Sequence, residues 1–280
     1  MNKNNKTKLN KDNRAEIHSS AFVHSKAQIN EGVKVEQGAI IGPNVIIESG
    51  TRIGPNAVIQ GQTTIGKNNI IFPNVFLGLD PQDLKYKGAD TELIIGDNNT
   101  FRECVTINKA TDEGEKTIIG NNNLLMAYTH IGHNCEIGNN TVLSNSVQVA
   151  GHVKIEDNAI VGGCLGIHQF VHVGYLAMVG GMTRVDRDIP PFSLAEGHPG
   201  RLRGLNRVGI KRSGLVEENL LDQHLLQRIW NLLFKSDYVI SNALDLAMRE
   251  NLDVASNKLC NFVKESISKN RRGPMPVINL

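Results

Sequence analysis

One period governs most of this chain. Counting in sixes from Ile17, aliphatic residues recur at Val23, Ile29, Val35, Ile41, Ile47, Ile53, Ile59, Ile65, Ile71 and Leu77. The same phase returns at Ile95, Phe101 and Ile107, then runs from Ile119 through Ile131, Val149 and Ile167 to Val185. Its only interior failures are Asp83, Ala89 and Glu113. A repeat of six fits neither the 3.6-residue period of an amphipathic helix nor the two-residue alternation of a half-buried strand. It is the period of a hexapeptide parallel β-helix, in which three short faces close one triangular coil of about 18 residues. Coils then stack at about 4.8 Å, so residues 18 apart form inward columns of Ile, Val and Leu. Glycine often follows the inward residue, as at Gly42, Gly54, Gly66, Gly120, Gly132 and Gly138. An aromatic content of 5% suits so narrow an interior, where Trp and Phe are expected not to fit.

The period divides the chain. Residues 1–14 are Asn- and Lys-rich and lack the apolar core of a secretory signal, so they are expected to be a disordered tail. Residues 15–188 carry the β-helix. Two phase breaks, 79–93 and 108–116, hold too many polar residues for a prism interior and are expected to leave it as loops. Beyond Val185 the hexads stop, and Pro190-Pro191 and Pro199-Gly200 mark an irregular connector. From Leu215 onward, Leu220, Leu221, Leu225, Ile229, Leu232 and Leu233 take helical spacing, followed by a second helix around Val239–Ala247 and a third around Leu259–Ile267. Residues 189–280 thus read as a connector and an α-helical C-terminal domain.

Composition narrows the function. Thirty Lys+Arg against 28 Asp+Glu leave no strongly basic surface, so no nucleic-acid partner is expected. No run of 18 apolar residues occurs, so no membrane span is expected, and a cytoplasmic location is the default. The four cysteines, Cys104, Cys135, Cys164 and Cys260, form no CxxC pair and read as reduced thiols.

The chemistry gathers on one edge. Ile131, Val149 and Ile167 form one column, and His130, His133, His152 and His168 lie within three residues of it. A single histidine at a turn is an ordinary polar residue, but here four of the nine in the chain share one edge of three successive coils. Two chemistries fit such a cluster. Imidazoles from adjacent coils hold zinc in β-helical carbonic anhydrases. Alternatively, one neutral imidazole acts as a general base while the others bind polar groups.

The ordered motifs PQDLKYKG, RECVTINKAT, NNNLLMAYTHIGHNC, AGHV, GGCLGIHQF, MVGGMTRVDRDIPP and GLNRVGIKR resemble the UDP-N-acetylglucosamine O-acyltransferases of lipid A synthesis. The resemblance covers about residues 15–270. It implies a left-handed β-helix, an exception to the usual right-handed parallel crossover. It implies transfer of a (3R)-hydroxyacyl chain from acyl carrier protein to the glucosamine 3-hydroxyl, with no cofactor and no metal. It also implies a homotrimer with active sites between subunits. In the family's H-x-x-H-D/N-C stretch the second histidine, here His133, is the general base. Gly151 supplies a backbone N–H to the oxyanion. Asp83, Lys85, His130, His152, His168 and Gln169 line the cleft, Gly181 limits acyl length, and Asn206 and Arg212 bind substrate. Asn134 stands where many members carry an aspartate, so its role in orienting the base is weaker by one charge. Ser213 replaces a second arginine, leaving a basic group of Arg201, Arg203, Arg207, Lys211 and Arg212 for an acidic carrier protein or a diphosphate. A 3-amino sugar nucleotide as acceptor and a zinc lyase are the competing readings.

Overall fold

The computed structural model describes residues 15–278, so the expected 1–14 tail lies outside the described residues. Three parallel sheets form the faces of a left-handed β-helical prism, and consecutive strands pass from one sheet to the next. The register follows the hexads: Ile131 lies over Val149, and Val149 over Ile167, each 18 residues on. Inward residues such as Ile41, Ile59, Leu77, Ile107, Ile131 and Val149 are fully buried and make one continuous core. Fully burying such a side chain stabilises by about 1.5–3 kcal/mol. Phe101 corrects the expectation that no ring fits inside: it is completely buried, between Ile71 and Leu125 in its column. One ring is accommodated because the coils above and below it present aliphatic side chains.

Both phase breaks leave at the same place, the corner between the second face and the third. The strand pairing shows how the phase survives them. Leu77 pairs with Ile107 across 30 residues instead of 18, and Ile107 with Ile131 across 24. The excess is 12 and then 6 residues, two hexads and one. The strands Phe76–Leu79, Glu92–Ile95, Thr106–Asn108 and Lys116–Ile119 trim the excursions to 80–91 and 109–115.

The three corners use the sequence differently. At most turns the third residue after the inward position takes a positive φ, the left-handed region that Gly and Asn tolerate best; Ser20, Lys26, Asn44 and Gln62 do not. Where the third face returns to the first, Gly50, Asn68, Asn98, Asn122, Asn140 and Asn158 occupy it. Inside this corner runs a buried polar ladder. Asn69 Oδ1 accepts from Asn99 N at 2.9 Å, Asn99 Oδ1 from Asn123 N at 2.9 Å, and Asn123 Oδ1 from Thr141 N at 2.7 Å. The Nδ2 groups donate to the carbonyls of Gly96, Gly120 and Gly138. Small residues are required beside it: a Cβ on Gly120 would lie 2.5 Å from Gly138 O.

The C-terminal end is more ordered than an irregular connector. Ser193–Glu196 extends the first face beside Met178–Val179, and Arg201–Leu205 turns back antiparallel to it. Four helices follow: α1 (Arg207–Arg212), α2 (Gln223–Lys235), α3 (Ile240–Ala247) and α4 (Val254–Ser266). The helical pattern read from Leu215 begins eight residues later, because Asp222 caps α2 by accepting from His224 N and Leu225 N. The fully buried Trp230 anchors α2, its Nε1 donating to Ser193 Oγ at 3.0 Å. On α4, Phe262 packs its ring on His172, and Lys258 lies 3.8 Å from Glu156, both on the third face or beside it. Asp188 closes the junction, accepting from Ser266 Oγ at 2.6 Å and from the Arg271 guanidinium at 2.8 Å. No helix among the described residues is long and apolar enough to cross a membrane.

Candidate active site

The corner between the second and third faces collects both loops and the histidine coils. Asn134, His152 and Phe170 take the positive-φ positions there, at φ of 59°, 58° and 66°. His and Phe are costlier in this conformation than Gly or Asn, by about 1–2 kcal/mol for an ordinary side chain. The same turn is taken by Cys104, Tyr128, Cys164, Leu176 and Met182 at the other corners, so it belongs to the coil and does not single out this corner. The loops are tied to each other and to the prism. Asp90 N donates to Glu113 Oε2 at 2.8 Å, Lys109 Nζ lies 3.1 Å from Asp80 Oδ1, and Asn108 Nδ2 donates to Asp80 O at 2.9 Å.

At the centre is His133, 8% exposed. Its tautomer follows from a chain of hydrogen-bond partners. The Thr111 backbone N–H donates to Asn134 Oδ1 at 3.1 Å, and Asn134 Nδ2 donates to the Glu115 carboxylate. A backbone N–H only donates and a carboxylate only accepts, so the amide has one orientation. Its oxygen lies 2.7 Å from His133 Nδ1 and therefore accepts from it. His133 carries its proton on Nδ1, leaving the Nε2 lone pair free. Nε2 lies on the pocket side, 3.8 Å from Asp83 Oδ2.

The imidazole lies against backbone. A Cβ on Gly151 would sit 2.5 Å from His133 Cε1 and Nε2, so only glycine leaves room for the ring. A Cβ on Gly132 would lie 2.9 Å from Gly151 N, so glycine there leaves that N–H uncovered. No carbonyl among the described residues accepts from Gly151 N. The second ring, His152, meets His133 edge-on at 5.1 Å and stacks on Phe170 at 4.8 Å. Burial, then the repulsion two protonated rings would feel beside His133, hold His152 below the ordinary histidine range, against the opposing pull of Glu115, Asp112 and Asp83. Burial and His133 lower His130 likewise, and Thr106 Oγ1 lies 2.7 Å from its Nδ1.

The residues expected from sequence divide into three groups. Asp83, Lys85, His130, His133, Gly151 and Gln169 line one pocket of about 410 Å³. His152 abuts it. His168 opens into a neighbouring cleft, its Nε2 3.3 Å from Arg272 Nη2. Gly181 lies on a different corner, that of Cys164 and Met182, and is exposed. Asn206 and Arg212 line an apolar groove of about 690 Å³ on the first face. Asn206 is also the cap of α1, accepting from Gly209 N at 3.0 Å and donating to Leu176 O at 2.9 Å. Within one chain, then, Gly181, Asn206 and Arg212 are not brought to the histidines.

Sequence reasoning missed Asn108, Glu115 and Gly132. Asn108 is 5% exposed, lines the pocket and has no protein partner for its Oδ1 among the described residues. Its signal was an asparagine directly after the inward Ile107, at the point where the phase breaks. No group of three or more His, Cys, Asp or Glu side chains among the described residues is disposed to hold a metal ion. The cysteines are free, and burial pushes the Cys135 thiol up to about 12, which makes it inert.

Comparison with known proteins agrees over nearly the whole chain. Residues 188–275 match the family described as UDP-N-acetylglucosamine O-acyltransferase, domain 2, and residues 44–78 and 116–151 match the bacterial transferase hexapeptide repeats. An acyl-[acyl-carrier-protein]–UDP-N-acetylglucosamine O-acyltransferase from Synechocystis is 46% identical over 207 residues, covering 74% of each chain. A crystal structure of UDP-N-acetylglucosamine acyltransferase superimposes with a TM-score of 0.88 at 36% identity, over 94% of this chain and 100% of its own. The Campylobacter jejuni UDP-N-acetylglucosamine acyltransferase gives 0.84 at 34% identity, over 94% and 100%. Sequence, fold and the histidine corner agree: this chain belongs to the UDP-N-acetylglucosamine O-acyltransferase family.

Proposed function

We propose that the chain transfers a (3R)-hydroxyacyl group from acyl carrier protein to the 3-hydroxyl of UDP-N-acetylglucosamine, the first step of lipid A synthesis, with His133 as general base. The observation that carries this reading is the tautomer of His133, which leaves the Nε2 lone pair on the pocket side beside an unaccepted Gly151 N–H. A sugar hydroxyl beside Nε2 loses its proton to the ring as its oxygen attacks the thioester carbonyl carbon. The carbonyl oxygen becomes an oxyanion and accepts from Gly151 N–H. Collapse expels the carrier thiolate, which takes the proton back from the imidazolium. Asp83, Lys85, His130 and Gln169 are assigned to substrate groups in the pocket, His152 to its wall, and His168 to substrate binding in the neighbouring cleft.

Gly181, Asn206 and Arg212 enter this reading through a homotrimer. The groove holding Asn206 and Arg212 includes Ile160, 38% exposed, and Val208, 60% exposed, apolar surface suited to a neighbouring prism. A neighbour's histidine corner set against this face brings the two sets of residues together. The basic group around Arg212 then borders the entrance, where an acidic carrier protein docks. The test is acyl transfer by the purified chain, with UDP-N-acetylglucosamine and a series of hydroxyacyl carrier proteins, the product identified by mass. An ester-linked acyl sugar nucleotide is the expected product, and absence of transfer with every carrier overturns the assignment.

A further inference from the structure

We propose that Glu115 is a positioning residue for His133: its carboxylate, acting through the Asn134 amide, keeps the imidazole proton on Nδ1 and supplies the charge that an asparagine beside the base lacks. The inference rests on His133 acting as the base.

Asn134 follows the base and is neutral, so it orients the ring without a counter-charge for the imidazolium formed during reaction. The structure puts a carboxylate one link further out. His133 Nδ1 donates to Asn134 Oδ1, and Asn134 Nδ2 donates to Glu115. The amide is held at both ends, and hydrogen bonds in such a chain polarise one another. Glu115 closes the second loop and is itself held at the prism, since Glu115 N donates to Asp112 O at 3.0 Å and its carbonyl accepts from Glu92 N at 3.1 Å. The charged groups facing the two central rings are Asp83 at the pocket, Asp112 and Glu115 in the second loop, with His130 and Lys85 lining the pocket. Of these carboxylates, Glu115 alone is hydrogen-bonded to the amide that contacts Nδ1. Because it is exposed, its effect is screened and moderate.

This geometry changes what replacing Asn134 with aspartate does. The second oxygen of that aspartate would face Glu115 where an N–H now donates, setting two carboxylates together. The single change Asn134→Asp is therefore frustrated, and it becomes productive only when Glu115→Gln turns the second partner into a donor.

The experiment is a cycle of Glu115→Gln, Asn134→Asp and the double variant. It is read by kcat, KM and pH profile in acyl transfer, and by histidine ¹⁵N shifts, which report the His133 tautomer without turnover. Glu115→Gln should lower the plateau kcat on the order of 3- to 10-fold, leave KM unchanged and move the acidic limb downward, because the ring loses a nearby negative charge. The double variant should return to within about twofold of the parent and exceed Asn134→Asp alone, a non-additivity expected of residues in one network. Equal effects of Glu115→Gln in both backgrounds, or an unchanged His133 tautomer and titration in Glu115→Gln and Glu115→Ala, would overturn the proposal. If the parent transfers no acyl group, or His133→Ala keeps its rate, the reading of His133 as base fails instead, and the ¹⁵N shifts still decide the role of Glu115.

Discussion

Two corners of one prism carry the same backbone turn to different ends. At the asparagine corner, Asn69, Asn99 and Asn123 repeat coil after coil, and each amide bonds forward to the next coil, Asn69 to its own coil as well. At the histidine corner nothing repeats. Asn134, His152 and Phe170 succeed one another, two loops interrupt the stacking, and polar atoms are left facing the pocket: Asn108 Oδ1, His133 Nε2 and Gly151 N–H. Regularity marks the corner that holds the coils together. Its absence marks the corner where polar atoms are left without partners among the described residues, the corner to which the proposed reaction is assigned.

The largest effect expected of this contrast is kinetic. His133→Ala should lower acyl transfer by on the order of 100- to 10,000-fold while the melting temperature stays near that of the parent. A comparable loss of stability would mean the histidine corner is structural as well.

Asn99→Ala should do the reverse. It removes the acceptor of the Asn123 N–H and the donor to Gly120 O, both enclosed. Each orphaned group costs about 1–3 kcal/mol, which denaturant unfolding would register while kcat/KM of the folded fraction holds. A change in kcat/KM matching that of a histidine variant would erase the distinction between the corners.

His152→Asn sharpens the comparison within a single residue. Asparagine suits the positive φ that His152 occupies, so stability should hold or rise by about 0.5 kcal/mol. The lost contacts with His133 and Phe170 should lower kcat/KM on the order of 10-fold, less than His133→Ala. Equal losses for the two variants would place both imidazoles in the chemistry.

The smallest effect concerns selectivity. A Cβ on Gly181 would meet Gly163 O at 3.3 Å, close contact that small shifts relieve, so Gly181→Met should fold. Within the proposed trimer it should move the preferred acyl chain about four carbons shorter, roughly the reach of the added side chain. A chain-length profile identical to the parent's would remove Gly181 from the channel.

The prism was legible because its signal is periodic: every inward column follows from counting in sixes. The asparagine ladder also has a sequence signature, in Ile65-Gly-Lys-Asn-Asn69, Ile95-Gly-Asp-Asn-Asn99 and Ile119-Gly-Asn-Asn-Asn123, where the second asparagine of each pair turns inward. Ser193–Glu196 was hidden because proline and glycine on either side suggest a break, whereas the strand gains its partner from Met178–Val179, distant in sequence. His133 and Gly151 are candidates that the resemblance supplies. Glu115 was not, because its contact with Asn134 depends on where a nine-residue phase break returns to the prism, and no local pattern encodes that. The tautomer of His133 was out of reach for the same reason, since it is fixed by the Thr111 amide and the Glu115 carboxylate across the loop.

The pairing register has a mechanical meaning. Each coil touches only its neighbours, so a chain pulled from its ends would unspool coil by coil, as in other quasi-one-dimensional folds. An 18-residue coil releases about 65 Å of extended chain. The two coils that carry the loops span 30 and 24 residues between paired positions, and would release about 108 Å and 86 Å. The histidine corner would thus announce itself in a force trace as two long steps in an otherwise even staircase.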